Sequence, residues 1–214
     1  MIKIMTNRDR ATEASLFDQM HQLRKKVFSD RLQWDVPLRG DWEIDRFDDE
    51  CDPVYLMSLD DKGVLRGSLR LLPTTGPNML ADVFNDLLPD GKPVESATVW
   101  ESTRFSVDHE AAAERTPHLL NRVTGELLCG IVEVGQLAGL SDVVSVYDAM
   151  FARILRRANC PADPIGEPKR IGRVLAFAGL FEISDRMLMN LRSAAGITSS
   201  VLEPNATLRL ANAA

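Results

Sequence analysis

Two apolar-rich runs, Val54–Leu59 and 64–72, flank the turn Asp60-Asp61-Lys62-Gly63 and so read as an antiparallel hairpin. This pair constrains the fold more than any other segment, because one residue of slip would move every side chain to the opposite face. In the second run Leu65, Leu69 and Leu71 share one face, while Arg66, Ser68 and Arg70 share the other. The chain therefore places polar and cationic side chains in register on one side of a sheet.

Helical and extended periods alternate around that hairpin. Residues 2–6 read as a strand, and Leu16, Met20, Leu23 and Val27 mark an amphipathic helix over 12–29. Residues 31–49, with Pro37 and Gly40, have no sustained period and read as a long loop. A short apolar helix or turn is expected within 79–88, then a strand over 97–107. Thr116-Pro117 has the chemistry of a helix start, and Leu120, Val123, Leu127, Ile131, Val134 and Ala138 carry that helix to Gly139. Strands at 142–147 and 173–182 and helices at 150–158 and 184–195, the last closed by Gly196, complete the pattern. Strands alternating with helices after an early hairpin imply an α/β fold, a mixed sheet with helices on both faces. With 214 residues, 45% apolar and no linker or repeat, residues 1–214 read as a single domain.

The net charge of −6 argues against a nucleic-acid binder. Within 153–173, however, Arg153, Arg156, Arg157, Lys169, Arg170 and Arg173 outnumber Asp163 and Glu167. That segment is compatible either with a solvated surface or with a patch for an acidic or phosphorylated partner. Cys51, Cys129 and Cys160 share no motif and read as reduced thiols. No signal peptide or membrane-spanning run is evident, so a cytoplasmic protein without membrane contact is expected. His21, His109 and His118 are isolated, and no metal spacing, nucleophilic triad or glycine-rich phosphate loop emerges.

The remaining signal lies in RKKVFSDRLQWDVPLRGDWEIDRFD, residues 24–48, and in ESTRF, residues 101–105. Arg24, Arg70, Arg104, Asp45 and Asp48 form either a web of surface ion pairs or a buried charged cluster, which is tolerable only if every member is paired. Phe28 and Trp34 suit either the core or the face of a cationic ligand. Glu101 and Arg104, three apart, point to opposite faces of a regular strand, so a shared site demands a bulge between them.

Arg24, Phe28, Trp34, Asp45, Asp48, Arg70, Glu101 and Arg104, in this order and spacing, resemble the acyl-homoserine lactone synthases, the LuxI-type autoinducer synthases. FEISDRMLMNLRSAAGI near the C-terminus is similar to the rhizobial-type subgroup. The resemblance implies a GNAT-like (acyl-CoA N-acyltransferase) fold in which the strands 97–107 and 142–147 splay to form an acyl cleft, with a bulge at Glu101–Arg104. It implies transfer of an acyl group from a thioester to the amine of S-adenosylmethionine, then ring closure with release of methylthioadenosine, to make a quorum-sensing signal. Glu101 is then the base for the amine, with oxyanion donors at Arg104 and Phe105. Arg24, Phe28, Trp34, Asp45, Asp48, Arg70 and Arg104 bind S-adenosylmethionine, a substrate and not a cofactor; no cofactor or metal is implied. Ser102, Thr103, Ser145, Tyr147, Met150, Phe151 and Leu155 are the acyl-pocket candidates. Acyl-carrier protein or acyl-CoA is the donor, docking near Arg153, Arg156, Arg157, Lys169 and Arg170, on a monomer or weak dimer. Two alternatives remain open: an N-acyltransferase acting on another amine, and a ligand-binding regulator without turnover.

Overall fold

The computed structural model describes residues 1–113 and 116–211. Strand β1 (Ile2–Thr6) leads into helix α1 (Ala14–Arg24). The helix expected over 12–29 changes character at its end: Lys25–Arg31 forms a wider π-type turn, and Leu32 N–H donates to the Val27 carbonyl five residues back. The expected loop after it carries a small pair, β2 (Leu38–Arg39) and β3 (Trp42–Glu43), and one helical turn, α2 (Arg46–Asp49).

The hairpin forms, with β4 (Val54–Leu59) antiparallel to β5 (Leu65–Pro73), but a register shift at Ser58/Leu59 breaks the expected alternation and packs Leu65 with Tyr55 and Met57, away from Leu69 and Leu71. Next come the short helix α3 (Met79–Asp82), strand β6 (Val99–Val107) and helix α4 (His109–Ala113). The long helix α5 (Arg122–Ala138) starts later than Thr116-Pro117 suggests. Asn121 is its cap and accepts from Thr124 N–H, while Leu120 N–H is held by the Ala194 carbonyl, so residues just before it belong to a tertiary contact. Gly139, with φ +71°, ends the helix in the left-handed region.

Strand β7 (Asp142–Asp148), helix α6 (Ala149–Arg157), strands β8 (Asp163–Pro164), β9 (Lys169–Ile171) and β10 (Val174–Glu182), and helices α7 (Asp185–Ala195) and α8 (Ala206–Ala211) follow. Helix α7 ends at Gly196 as expected, and Ser184 lies just before it as its cap, accepting from Met187 N–H.

The main sheet runs β1-β4-β5-β6-β7-β10-β8, with β9 also on β10. One face packs Ile4, Leu56, Leu69 and Leu71 against Leu127 and Leu128 of α5 and Leu188 and Leu191 of α7. The other buries Met5, Tyr55 and Met57 beneath Phe17, Met20 and Leu23 of α1. Both faces are thus covered. Neighbouring strands are antiparallel except β6 and β7, which run parallel from Val99/Asp142 to Ser102/Ser145 and pair no further. That early end to the ladder is the splay. No helix among the described residues is long and apolar enough to cross a membrane.

Candidate active site

A buried ionic network occupies the space between α1, the loop after it, β5 and β6. Arg24 donates through Nη1 and Nη2 to both oxygens of Asp48, at 2.9 and 2.8 Å, and through Nε to Glu43. Arg70 Nη1 reaches Asp45 at 2.6 Å and Asp48 at 2.8 Å. Arg104 Nε donates to Glu43 at 3.0 Å, and its Nη2 lies 2.8 Å from Asp45. Three guanidinium groups thus meet three carboxylates, and Tyr55 Oη adds a bond to Asp48 at 2.9 Å.

Local backbone chemistry explains the spacing of the two aspartates. Asp45 caps α2 by accepting from Phe47 N–H, and Asp48 reaches back to accept from Asp45 N–H. This reciprocal cap fixes the two carboxylates relative to each other through local bonds alone. Burial alone would push the Asp48 carboxyl up, but Arg24 and then Arg70 hold it well below the usual carboxylate range. Of the six, Asp45 and Arg104 keep the most solvent contact, with side chains 6% and 8% exposed.

Strand β6 contains the bulge that the parity of Glu101 and Arg104 requires. Ser68 faces Ser106 and Arg70 faces Thr103, so two steps on β5 span three on β6. Arg104 is the extra residue, with φ +55°. A left-handed arginine costs on the order of 1–3 kcal/mol, and its ion pairs to Glu43 and Asp45 hold it there. Glu101 itself is fully buried: Met79 N–H donates to Oε2 at 2.8 Å and Leu80 N–H to Oε1 at 2.6 Å. Burial pushes its carboxyl up to about 7, against the pull of these N–H groups and of Arg70 and Arg104.

The aromatic candidates adjoin the network. The Phe28 and Trp34 ring centres are 5.5 Å apart, and the Arg104 guanidinium sits over Phe28 at 5.4 Å. Phe28 is buried, whereas Trp34 is 39% exposed and stands at the rim.

The acyl-pocket candidates divide between two environments. Thr103 turns to the charged side, where its hydroxyl accepts from Arg70 Nε at 3.1 Å. Ser145 Oγ donates to the Ser102 carbonyl at 2.9 Å across the last paired step of the splay. Phe151 packs on Phe105 at 5.3 Å, beside that opening. Tyr147 lies instead against Phe177 and Phe181 of β10, at 5.8 and 5.4 Å. Leu155 is sealed in the main core and Met150 is 70% exposed.

Glu43 and Tyr55 escaped the sequence reading. Glu43 is two residues before Asp45 in extended backbone, a spacing that puts both on one side and was the available signal. Tyr55 stands opposite Arg70 in the β4–β5 register. A cavity of about 610 Å³ lies elsewhere, lined in part by Asp60, Arg66, Glu110 and Glu126. Among the described residues no group of three or more His, Cys, Asp or Glu side chains is placed to hold a metal ion.

His21 adds a pH dependence. Its Nδ1 lies 3.1 Å from the Glu43 carbonyl, which can only accept, so Nδ1 carries the proton. Burial, reinforced by Arg24, lowers its pKa from 6.5 to about 4. As pH falls from 6.5 to 4 the unfolded chain binds a proton that the folded one refuses, so stability declines over that window, by on the order of 3 kcal/mol. Urea midpoints across it are expected to fall in the wild type and to flatten in His21→Asn; equal slopes would remove His21 as the cause.

The mixed sheet, parallel splay and bulged central strand define a fold shared with solved acyltransferase structures. An acyl-CoA N-acyltransferase from Pseudomonas aeruginosa shares it at TM-score 0.55, with 15% identity over 84% of this chain and 99% of that one. The autoinducer synthase family model matches residues 7–191. An acyl-homoserine-lactone synthase of Rhizobium etli is 36% identical over 90% of this chain and 89% of its own length. The CoA-dependent acyl-homoserine lactone synthase MesI superposes at TM-score 0.83, with 26% identity over 95% of this chain and 100% of that one. The chain belongs to the autoinducer synthase family, and with its rhizobial relatives it is an acyltransferase that makes an acyl-homoserine lactone for quorum sensing.

Proposed function

We propose that Glu101, the ionic network and the Phe28–Trp34 wall form the S-adenosylmethionine site, and that the splay beyond Ser102 admits the acyl thioester. The observation that carries this reading is the bulge at Arg104, which turns Glu101 and Arg104 toward one site beside the end of the β6–β7 ladder. The substrate amine is protonated at neutral pH and must lose that proton before attack. Glu101 accepts one backbone N–H at each oxygen and retains a lone pair on each, so it takes the proton directly or through one water. The amine nitrogen then bonds to the acyl carbon, backbone N–H groups at Arg104 and Phe105 steady the oxyanion, and as the C–S bond breaks the departing thiolate takes up the proton that the nitrogen loses.

Ring closure follows within the product. Its carboxylate oxygen attacks the γ-carbon, and the sulfonium leaves as neutral methylthioadenosine. Holding the chain folded supplies most of that step. Asp45, at the network's edge, faces the ammonium and sulfonium end, with Trp34 against the nucleoside. Ser102, Ser145 and Phe151, with Phe105, border the acyl group; Tyr147, Met150 and Leu155 stand further off.

Acyl-CoA is the donor favoured by the likeness to MesI, and the basic segment with Arg153, Arg156, Arg157, Lys169 and Arg170 suits its phosphates or an acidic carrier protein. Incubating the purified protein with S-adenosylmethionine and a panel of acyl-CoA and acyl-carrier thioesters, with mass detection, tests the reading. Lactone and methylthioadenosine in equal amounts are expected with one donor class; methylthioadenosine with none would overturn it. Arg156→Glu combined with Arg157→Glu is expected to raise the donor KM about tenfold at low salt and to leave the S-adenosylmethionine KM unchanged. An unchanged donor KM would move the docking surface elsewhere.

A further inference from the structure

Two of the three guanidinium groups, those of Arg70 and Arg104, each have one edge that no carboxylate fully claims, and both edges face the same sulfur. Arg104 commits Nε and Nη2 to Glu43 and Asp45, and its Nη1 points at Met79 Sδ at 3.1 Å. Arg70 gives Nε to Thr103 and Nη1 to Asp45 and Asp48, while Nη2 divides between Asp45 at 2.9 Å and Met79 Sδ at 3.4 Å. A thioether is a weak acceptor, and a guanidinium N–H bonds far better to an anion. Leucine would fill the same volume, so the sulfur adds an acceptor that packing does not require. The Met79 backbone is fixed by its bond to Glu101. Its unbranched side chain, packed with Phe47 and Leu72, has three rotatable bonds through which it can repack about that anchor.

We propose that Met79 is a positioning residue whose thioether holds the anion position between Arg70 and Arg104 and yields it to the α-carboxylate of the amino-acid substrate. This rests on S-adenosylmethionine being the amine substrate, as proposed above. The exchange replaces two weak N–H···S contacts by charge-assisted bonds to one carboxylate. It also places that carboxylate, the nucleophile of ring closure, on the same side of β6 as Glu101.

The test compares S-adenosylmethionine with its decarboxylated analogue, by calorimetric binding to the wild-type protein, Met79→Leu and Met79→Gln. Leucine removes the competing acceptor and glutamine installs a stronger one. For S-adenosylmethionine, Kd is expected to fall roughly three- to tenfold in Met79→Leu and to rise by a similar factor in Met79→Gln. The decarboxylated analogue is expected to bind all three proteins alike. If Met79→Gln fails to fold, the Met79→Leu comparison between the two ligands decides alone. Equal shifts for both ligands, or no shift for either, would overturn the role of Met79 while leaving the enzyme reading in place. Failure of the wild type both to bind S-adenosylmethionine and to form methylthioadenosine would overturn the two together.

Discussion

Asp48→Asn is expected to destabilise the fold by about 3–5 kcal/mol, the range found when one partner of a buried ion pair is removed. Asp48 accepts from Arg24 twice, from Arg70, from Tyr55 and from Asp45 N–H. Asparagine keeps one oxygen but turns an N–H₂ group toward donors, and it leaves three buried arginines with two carboxylates. Linkage gives the same sign. Because the Asp48 pKa is depressed in the fold, its contribution is present above the unfolded value near 3.8 and is lost as pH falls below it. Arg186→Ala is a fitting control, since Arg186 pairs with Glu182 while 81% exposed and its loss is expected to cost within about 0.5 kcal/mol. Urea unfolding of the two variants at pH 7 measures the contrast. A loss below about 1 kcal/mol in Asp48→Asn would show that the network does not hold the loop to the sheet.

Glu101→Gln is expected to lower turnover by about 10²–10⁴-fold, the contribution of a positioned base, with S-adenosylmethionine binding changed only a few-fold. Since the Glu101 carboxyl is pushed up to about 7, it is protonated below that pH and able to accept a proton above it. Turnover in the wild type is therefore expected to climb about tenfold per pH unit below 7 and to level above it. Glu101→Gln is expected to lose that limb. The carboxylate also anchors Met79 and Leu80, so a thermal melt accompanies the assay. Equal loss of binding and turnover, with a lowered melting temperature, would make Glu101 a structural anchor and not a base.

Much of the fold was legible because local chemistry and tertiary structure agree. The Asp60–Gly63 turn and the Gly196 stop each act within a few residues, and the structure keeps both. The bulge was legible from parity joined to the family resemblance: Glu101 and Arg104 cannot share a face on a regular strand, and the resemblance supplied the shared site that requires them to. Thr116-Pro117 misled because Leu120 is tied to Ala194, a contact distant in sequence. The π-type turn at Lys25–Arg31 breaks the period that suggested a continuous helix.

Within the site, the family signature marked the arginines and aspartates, but not the residues that complete their pairing. Glu43 carries the same charge as its solvent-facing neighbours in the sequence, and only the β3 turn reveals that it is buried. Met79 reads as an apolar turn residue, and its contact with two arginines exists only once α3 docks on β6. Tyr147 was expected at the acyl cleft, yet Gly179 opposite Ser145 leaves room for its ring to lie on β10.

The most direct test of this convergence is hydrogen–deuterium exchange with and without S-adenosylmethionine. Slower exchange is expected across 25–34, 45–49, 79–82 and 99–105, segments that are separate in sequence and meet only at the network. Protection confined to the cavity bordered by Asp60, Glu110 and Glu126, with those four segments unchanged, would contradict the account.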